Sequence, residues 1–259
     1  MRRAIPWLGL FLLAFSFIWL VRLLTPTYPP AAVQPKAAPG RPEPIMVVLD
    51  PGHGGQDSGA MCGTMLEKDL TLDVALRAEM ILRAAGFATA LTRDSDRYVS
   101  LADRASLGNR SRNSLFVSIH FNDDVRTTAS GVETYYAVQT PPTLPFFFSW
   151  FSFLQRAAPG PLTEKSETLA GFIQKALVER TQAINRGVKP EQFYVIAHVR
   201  TPAALVEGGF ITNKSDVIRL ATTEYRQKIA AAIGDGLHRY REAGKVGKPT
   251  ATLATARPE

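Results

Sequence analysis

Apolar residues recur along this chain in two spacings, which predict short strands alternating with longer helices. Compact apolar runs typical of strands lie at 45–49, 87–91, 115–119, 131–138, 193–197 and 203–206. Apolar residues three or four positions apart predict helices at 66–85, 101–112, 164–181, 214–220 and 224–241. The alternation predicts a single α/β domain, and the strands that follow each other without a helix predict that its sheet is mixed.

An apolar segment at the N-terminus predicts an association with a membrane. Arg2 and Arg3 precede the uncharged stretch 4–21, whose length is near the minimum for crossing the hydrocarbon core. An uncleaved anchor at 1–24, with both arginines in the cytoplasm, is favoured over a signal peptide because no clean cleavage site follows. The chain is therefore expected outside the cytoplasm, anchored to the cytoplasmic membrane, or secreted or periplasmic if the segment is cleaved.

Two further segments are not expected to belong to the folded domain. Residues 25–44 contain seven prolines among alanines, a composition typical of an extended spacer. Residues 243–259 have no apolar period, which predicts a disordered tail. The globular domain is therefore expected at 45–242.

The net charge indicates which kinds of molecule the protein is expected to bind. The formal net charge of +7 suits nucleic acid, anionic lipid or an acidic cell-wall polymer. Because no motif for binding RNA or DNA is recognisable, we expect no nucleic-acid partner.

Three residues far apart in the sequence form a candidate zinc site. His53 lies in a glycine-rich turn after the first predicted strand, Glu67 opens the first predicted helix, and His120 ends the third predicted strand. Two histidines and a carboxylate are a catalytic ligand set for zinc that leaves the fourth position open for water. Ligands also gather beyond the ends of strands in α/β sheets. One Zn²⁺ per chain is therefore expected.

Each of these residues has a simpler interpretation when it is taken alone. Glycine-rich turns like that of His53 also cradle phosphates, but no Gly-Lys-Ser or Gly-Lys-Thr follows this one. A carboxylate such as Glu67 is common at a helix start, where it complements the helix dipole. A lone histidine such as His120 is more often a hydrogen-bonded core residue. Two histidines at strand ends in one α/β domain favour the metal site, whereas for Glu67 the spacing alone favours the interaction with the helix dipole.

Glu207 is the candidate for proton transfer. It ends the apolar run 203–206, where a carboxylate needs a partner or a function because burying a charge is costly. Gly208 and Gly209 leave space for a substrate beside it. The alternative is a structural salt bridge.

Three other reactive residues are weaker candidates. Cys62 lies between two proposed ligands in the sequence and is a minor candidate for a fourth ligand. Because it is the single cysteine, a disulfide within the chain is impossible. His198 precedes the Glu207 strand and is a minor candidate for substrate contact. His238 lies in the last predicted helix and is expected to be structural.

Several segments of the chain, taken together, match a known family pattern. They run from Leu49-Asp50-Pro51-Gly52-His53-Gly54-Gly55 to Val206-Glu207-Gly208-Gly209-Phe210-Ile211-Thr212-Asn213, with 67–72, 91–94, 101–104, 116–120, 131–135 and 185–188 between. In these segments the chain resembles the zinc-dependent N-acetylmuramoyl-L-alanine amidases, which are bacterial cell-wall hydrolases. The resemblance covers about Val47 to Tyr240.

The resemblance implies zinc ligands at His53, Glu67 and His120 and a catalytic glutamate at Glu207. It implies a twisted, mixed, roughly six-stranded sheet flanked by helices. It also implies that the substrate is peptidoglycan, cleaved at the amide between N-acetylmuramic acid and L-alanine. In that reaction a zinc-activated water attacks the amide, and Glu207 is the general acid/base.

The chain departs from the family pattern in three places. Phe121 stands where alanine often follows the site histidine, and 196–198 reads Ile-Ala-His where Leu-Arg is frequent. The insertion 139–165 carries six large aromatic residues in a short stretch: Phe146, Phe147, Phe148, Trp150, Phe151 and Phe153. Clustered aromatics predict a contact surface. A flap toward the membrane or a regulatory protein is favoured over a lid on the site or ordinary packing.

Two other functions compete with the amidase. One is an inactive, membrane-tethered module that binds peptidoglycan or activates another hydrolase; the other is a zinc amidohydrolase acting on a different amide. Inactive relatives usually lose a ligand or the glutamate, and this chain keeps all four residues. The enzyme is therefore the favoured prediction.

Overall fold

The computed structural model of the protein describes residues 44–111, 113–139 and 160–246. The predicted anchor at 1–24, nearly all of the spacer, most of the aromatic insertion and residues 247–259 lie outside the described residues. Within the described ranges, no helix combines the length and apolar character needed to cross a membrane.

The described residues form eight strands and six helices. The strands are β1 Met46–Pro51, β2 Met61–Cys62, β3 Met65–Leu66, β4 Ala88–Leu91, β5 Ser114–Asn122, β6 Val132–Tyr136, β7 Asn185–Pro190 and β8 Ala203–Phe210. The helices are α1 Glu67–Ala84, α2 Leu101–Gly108, α3 Pro161–Thr181, α4 Tyr194–Ala197, α5 Lys214–Leu220 and α6 Thr223–Val246.

Six of the strands form one mixed sheet in the order β4-β1-β5-β8-β6-β7. The first four are parallel to one another, β6 pairs antiparallel with β8, and β7 runs parallel to β6. Strands β2 and β3 form a separate small hairpin. The predicted α/β domain with a mixed, six-stranded sheet is confirmed.

The two faces of the sheet are covered unequally. Alternate residues of a strand point to opposite faces, and one set, including Leu49, Val117 and Val206, packs against the long helices α1, α3 and α6. The other set, including Phe116 and Leu205, forms a smaller core under the short helices α2 and α4. Farther along β5 and β8, the same face of the sheet carries His120 and Glu207.

One predicted element is wrong, and one strand of the main sheet was not predicted. Residues 193–197 were expected as a strand but form the single-turn helix α4, closed by the bond from Ala197 N–H to the Phe193 carbonyl (2.9 Å). A short apolar run does not distinguish a strand from a buried helical turn. The strand of that region is β7, whose sequence Asn-Arg-Gly-Val-Lys-Pro lacks an apolar period because β7 is an edge strand.

The short hairpin of β2 and β3 was also not predicted, and the other differences lie at element ends. Strands β5 and β8 extend to Asn122 and Phe210, so neither His120 nor Glu207 is the last residue of its strand. Helix α2 stops at Gly108, and α6 continues to Val246, into the segment expected as a tail. Ser100 caps α2, because its hydroxyl accepts the Asp103 N–H.

Candidate active site

Three predicted ligand residues converge at the carboxyl ends of the parallel strands. His53 follows β1, Glu67 is the first residue of α1, and His120 lies near the end of β5. The Glu67 carboxylate lies between the two imidazoles, 3.1 Å from His53 Nε2 through one oxygen and 3.0 Å from His120 Nδ1 through the other. One nitrogen or oxygen from each residue lies within 4.8 Å of the other two. This spacing allows all three to bind one ion.

Two glycines give these side chains their room. A Cβ atom on Gly52 would lie 2.5 Å from His120 Nε2, closer than real contacts allow. A Cβ atom on Gly59 would lie 2.5 Å from Glu67 Oε2, and Gly59 also adopts a positive φ of 64°. The cluster can therefore form only where the neighbouring backbone carries no side chain.

His53 is held in an unusual backbone conformation. Its φ is 58°, in the left-handed region that side chains other than glycine rarely adopt. The His53 carbonyl accepts a hydrogen bond of 2.6 Å from Arg104, and Arg104 in turn forms a buried ion pair of 2.8 Å with Asp50. Asp50 also accepts the hydroxyls of Thr92 and Ser118. These contacts fix the turn that presents the imidazole.

Arg93 ties the same turn to the start of α1. Its guanidinium is completely buried and donates to the carbonyls of Gly52 (2.8 Å) and Lys68 (2.7 Å). Gly52 precedes His53, and Lys68 follows Glu67, so Arg93 sets the position of one proposed ligand relative to another.

Hydrogen bonding keeps Glu67 ionised. Burial raises the pKa of this carboxyl, but the hydrogen bonds from His120 and His53 outweigh it and hold the pKa well below its usual range. Two backbone N–H groups, of Ala60 and Phe121, also donate to its oxygens. An anionic oxygen is the form in which a carboxylate binds a metal.

Asp57 orients His53. Both Asp57 oxygens lie 2.9 Å from His53 Nδ1, which leaves Nε2 directed at Glu67. A carboxylate behind a histidine fixes the ring and its tautomer in many metal sites. For His53, burial lowers the pKa of the imidazole, but the hydrogen bonds to Glu67 and Asp57 outweigh it, and the net shift is upward.

Glu207 lies beside His120 on the same face of the sheet. The two residues are in register on β5 and β8, and Glu207 is 8% exposed. Among the described residues, Glu207 Oε2 has no hydrogen-bond partner. Burial raises its pKa well above the usual value, and the charges of Glu67 and Glu133 raise it further. The salt bridge considered as an alternative is absent from the described part of the chain.

The donor set fits zinc. Two imidazole nitrogens and one anionic carboxylate match a catalytic zinc site with an open position, and an unpartnered buried carboxylate beside it is placed for proton transfer. Cys62 is exposed on the β2–β3 hairpin and is not part of the cluster.

Comparison with known proteins places this arrangement in a family. The profile of the N-acetylmuramoyl-L-alanine amidases matches residues 47–239. The chain belongs to the N-acetylmuramoyl-L-alanine amidase family. The family prediction is therefore confirmed, and with it the prediction that the protein is an enzyme of this class.

The chain is also similar to individual proteins. The uncharacterized protein YqiI of Bacillus subtilis (strain 168) is 38% identical over 76% of this chain and 87% of its own length. The N-acetylmuramoyl-L-alanine amidase LytC of the same strain is 36% identical over 81% of this chain, which corresponds to only 38% of LytC. The N-acetylmuramoyl-L-alanine amidase of Clostridium difficile 630 has a similar solved structure, with a TM-score of 0.65, 31% identity and coverage of 77% of this chain and 98% of that one.

The amidase site opens into a cavity of about 410 Å³. His53, His120 and Glu207 line it together with other residues, among them Tyr98, Val99, Leu101, Phe193 and Tyr194. The surface of the cavity is largely apolar. The cavity can therefore receive an uncharged group next to the polar cluster.

The two remaining histidines, His198 and His238, have different surroundings. His198 is exposed, and its ring stacks on Tyr194, a cavity residue, with centroids 3.9 Å apart. His198 itself is not among the residues that line the cavity. His238 is exposed on α6 and bonds to Arg241.

Sequence reasoning assigned no role to Glu133, which is a buried member of the site. It lies opposite Glu207 across β6 and β8. Its carboxylate accepts hydrogen bonds from four side chains: Asn122, Tyr135, Arg186 and Lys189. A charged residue inside the otherwise uncharged strand run 131–138 was the signal available in the sequence.

Proposed function

We propose that this chain hydrolyses the amide between N-acetylmuramic acid and L-alanine in peptidoglycan, in a zinc-dependent reaction. The observation that carries the proposal is the buried Glu207 carboxylate beside a converging His-Glu-His cluster, within a domain of the amidase family. Burying charged groups costs free energy, and a binding module without catalytic activity would not need such an arrangement.

The proposed ligands of the zinc ion are His53, Glu67 and His120. When bound, the ion would polarise the amide carbonyl and increase the acidity of a water molecule. Asp57, Arg93 and the Asp50–Arg104 pair hold His53 and the start of the Glu67 helix in place, and Glu67 contacts His120. This preorganisation avoids rearrangement during the reaction.

Glu207 would transfer the proton. Its carboxylate accepts a proton from the attacking water and returns it to the alanine nitrogen as the carbon–nitrogen bond breaks. Burial and two neighbouring carboxylates raise its pKa, which makes the anion a stronger proton acceptor. The products are the sugar with a free lactyl carboxylate and a peptide with a free N-terminal alanine.

The proposed location is outside the cytoplasm, with the chain anchored to the cytoplasmic membrane through 1–24. The uncharged stretch 4–21 and the proline-rich spacer support it. Fractionation of cells that express the full chain tests it, because a cleaved signal peptide would shorten the soluble product. Binding of a regulatory protein to the insertion 139–165 remains a prediction from the sequence.

The test of the activity uses the purified full chain in detergent with isolated peptidoglycan. Mass spectrometry should identify released stem peptides that begin with alanine, and a zinc chelator should stop the release until zinc is restored. Release that persists after complete removal of metal would contradict zinc dependence. A metal-loaded chain that releases no such peptide would contradict the proposed reaction.

A further inference from the structure

We propose that Arg186 and Lys189 form a subsite for a carboxylate of the substrate. The inference rests on the proposed function, because it names the part of the stem peptide that the site recognises. That part is the free α-carboxylate of the residue that follows L-alanine, on the leaving side of the cleaved bond.

The position of β7 places these two cations next to the reaction. His120, Glu207 and Glu133 form a row across β5, β8 and β6, and β7 is the next strand. Neighbouring strands are about 4.8 Å apart, so β7 lies about 10 Å from β8. Arg186 and Lys189 reach back from β7 to the same oxygen of Glu133. Their charged groups therefore lie within one or two peptide residues of a bond cleaved at Glu207.

Arg186 is held with its terminal nitrogens available. Its Nε donates to Glu133 at 3.0 Å, and its guanidinium carbon lies 4.8 Å from the centre of the Phe210 ring. In the part of the chain that the structure describes, neither terminal nitrogen has a hydrogen-bond partner. The side chain is 27% exposed. The free end of a fixed guanidinium is a planar fork that matches a carboxylate.

Lys189 supplies a second positive charge. Its ammonium group contacts Glu133 and lies 5.8 Å from the centre of the Tyr135 ring, and its side chain is 40% exposed. Glu133 can neutralise only one of the two cations, and each retains N–H groups beyond the one that it donates to Glu133. The pair can therefore bind an anion without breaking the contacts that position it.

The two sides of the site differ in a way that matches the two sides of the substrate. Tyr135 packs edge-on against Phe193, a wall of the apolar cavity, with ring centres 5.2 Å apart. The cavity therefore adjoins the basic pair. Uncharged sugar suits the apolar walls, and an acidic peptide suits Arg186 and Lys189. This difference orients the glycan toward α2 and α4 and the peptide toward β7.

The test compares two muropeptides that differ only in the second stem residue, which carries either a free α-carboxylate or an α-carboxamide. The full chain is expected to prefer the carboxylate by about tenfold in kcat/KM, the effect of one charged hydrogen bond. Arg186→Gln should abolish the preference by slowing the carboxylate substrate, and Arg186→Lys should keep part of it. Lys228→Gln, at an exposed position of α6, should leave the preference unchanged.

The outcomes separate this proposal from the proposed function. If Arg186→Gln slows both substrates equally, Arg186 acts only by holding Glu133, and the subsite is overturned. Equal rates of the unaltered chain on the two substrates also overturn it, while leaving the amidase activity intact. Failure to cleave either substrate or whole peptidoglycan contradicts the proposed function itself.

Discussion

Glu133 and Glu207 lie directly opposite each other on β6 and β8, and both carboxylates are buried, yet their pKa values shift in opposite directions. Burial raises the pKa of Glu133, but hydrogen bonds from Lys189, Tyr135 and Arg186 outweigh it and lower the pKa. Glu207 lacks such partners among the described residues. This difference supports the proposed role of Glu207 in proton transfer, whereas the lowered pKa of Glu133 keeps that carboxylate negatively charged.

Replacing Glu133 by Gln should shift the acidic limb of the pH profile of kcat/KM to lower pH. The substitution removes a negative charge that raises the pKa of Glu207 and leaves two cations unneutralised. Glu207 then loses its proton, and becomes a base, at a lower pH. Glu179→Gln, an exposed change on α3, is the control and should leave the profile in place. A shift toward higher pH would contradict the assigned interaction.

Replacing Glu207 by Gln should abolish turnover without releasing zinc. The amide keeps the size of the side chain but cannot accept a proton, and we expect kcat to fall by at least about a hundredfold. Metal analysis of the purified variant should give the zinc content of the unaltered chain, because Glu207 is outside the proposed ligand set. Loss of the metal would instead make Glu207 a ligand.

Replacing Gly52 by Ala should disrupt the metal centre. The added methyl group would overlap the His120 ring, which must move away from Glu67. We expect a loss of about 1–3 kcal/mol in the free energy of unfolding, together with weaker zinc binding. Thermal unfolding and zinc titration check this. Gly171→Ala is the matched control, because a Cβ on that glycine of α3 meets nothing within 4 Å. Normal zinc binding by Gly52→Ala would refute the steric argument.

Replacing Asp57 by Ala should weaken zinc binding while leaving the fold stable. His53 Nδ1 would lose the carboxylate that fixes its ring. Removing such a partner costs about ten- to a hundredfold in metal affinity, which competition with a coloured chelator can measure. Asp69→Ala, at an exposed position of α1, is the control. Equal affinities of the two variants would mean that Asp57 does not orient the ligand.

The apolar pattern predicted the strands of the sheet interior and all the long helices. Residues such as Val47 and Leu115 lie in strands with neighbours on both sides, so their burial is visible as an apolar run. The pattern failed at β7 and α4. β7 has a neighbour on one side only and a polar sequence, and α4 is one turn long, so neither has a period to detect.

Three of the four predicted site residues stand out from their surroundings in the sequence, whereas Glu67 lies at a helix start, where carboxylates are common, and was assigned through the family resemblance. His53 lies among glycines, and His120 and Glu207 are polar residues in apolar runs. Arg93 and Arg104 were not singled out, because an arginine in a sequence does not reveal that it will be buried among backbone carbonyls.

The sequence by itself determined the α/β class, the family and the identity of the clustered residues, because residue types and their local spacing carry that information. Only the tertiary structure decided which residues face each other. The register of β5, β8 and β6 aligns His120, Glu207 and Glu133 on one face of the sheet, and β7 adds Arg186 and Lys189 to that row. Contacts between strands far apart in the chain depend on pairing and register, and no local pattern contains them.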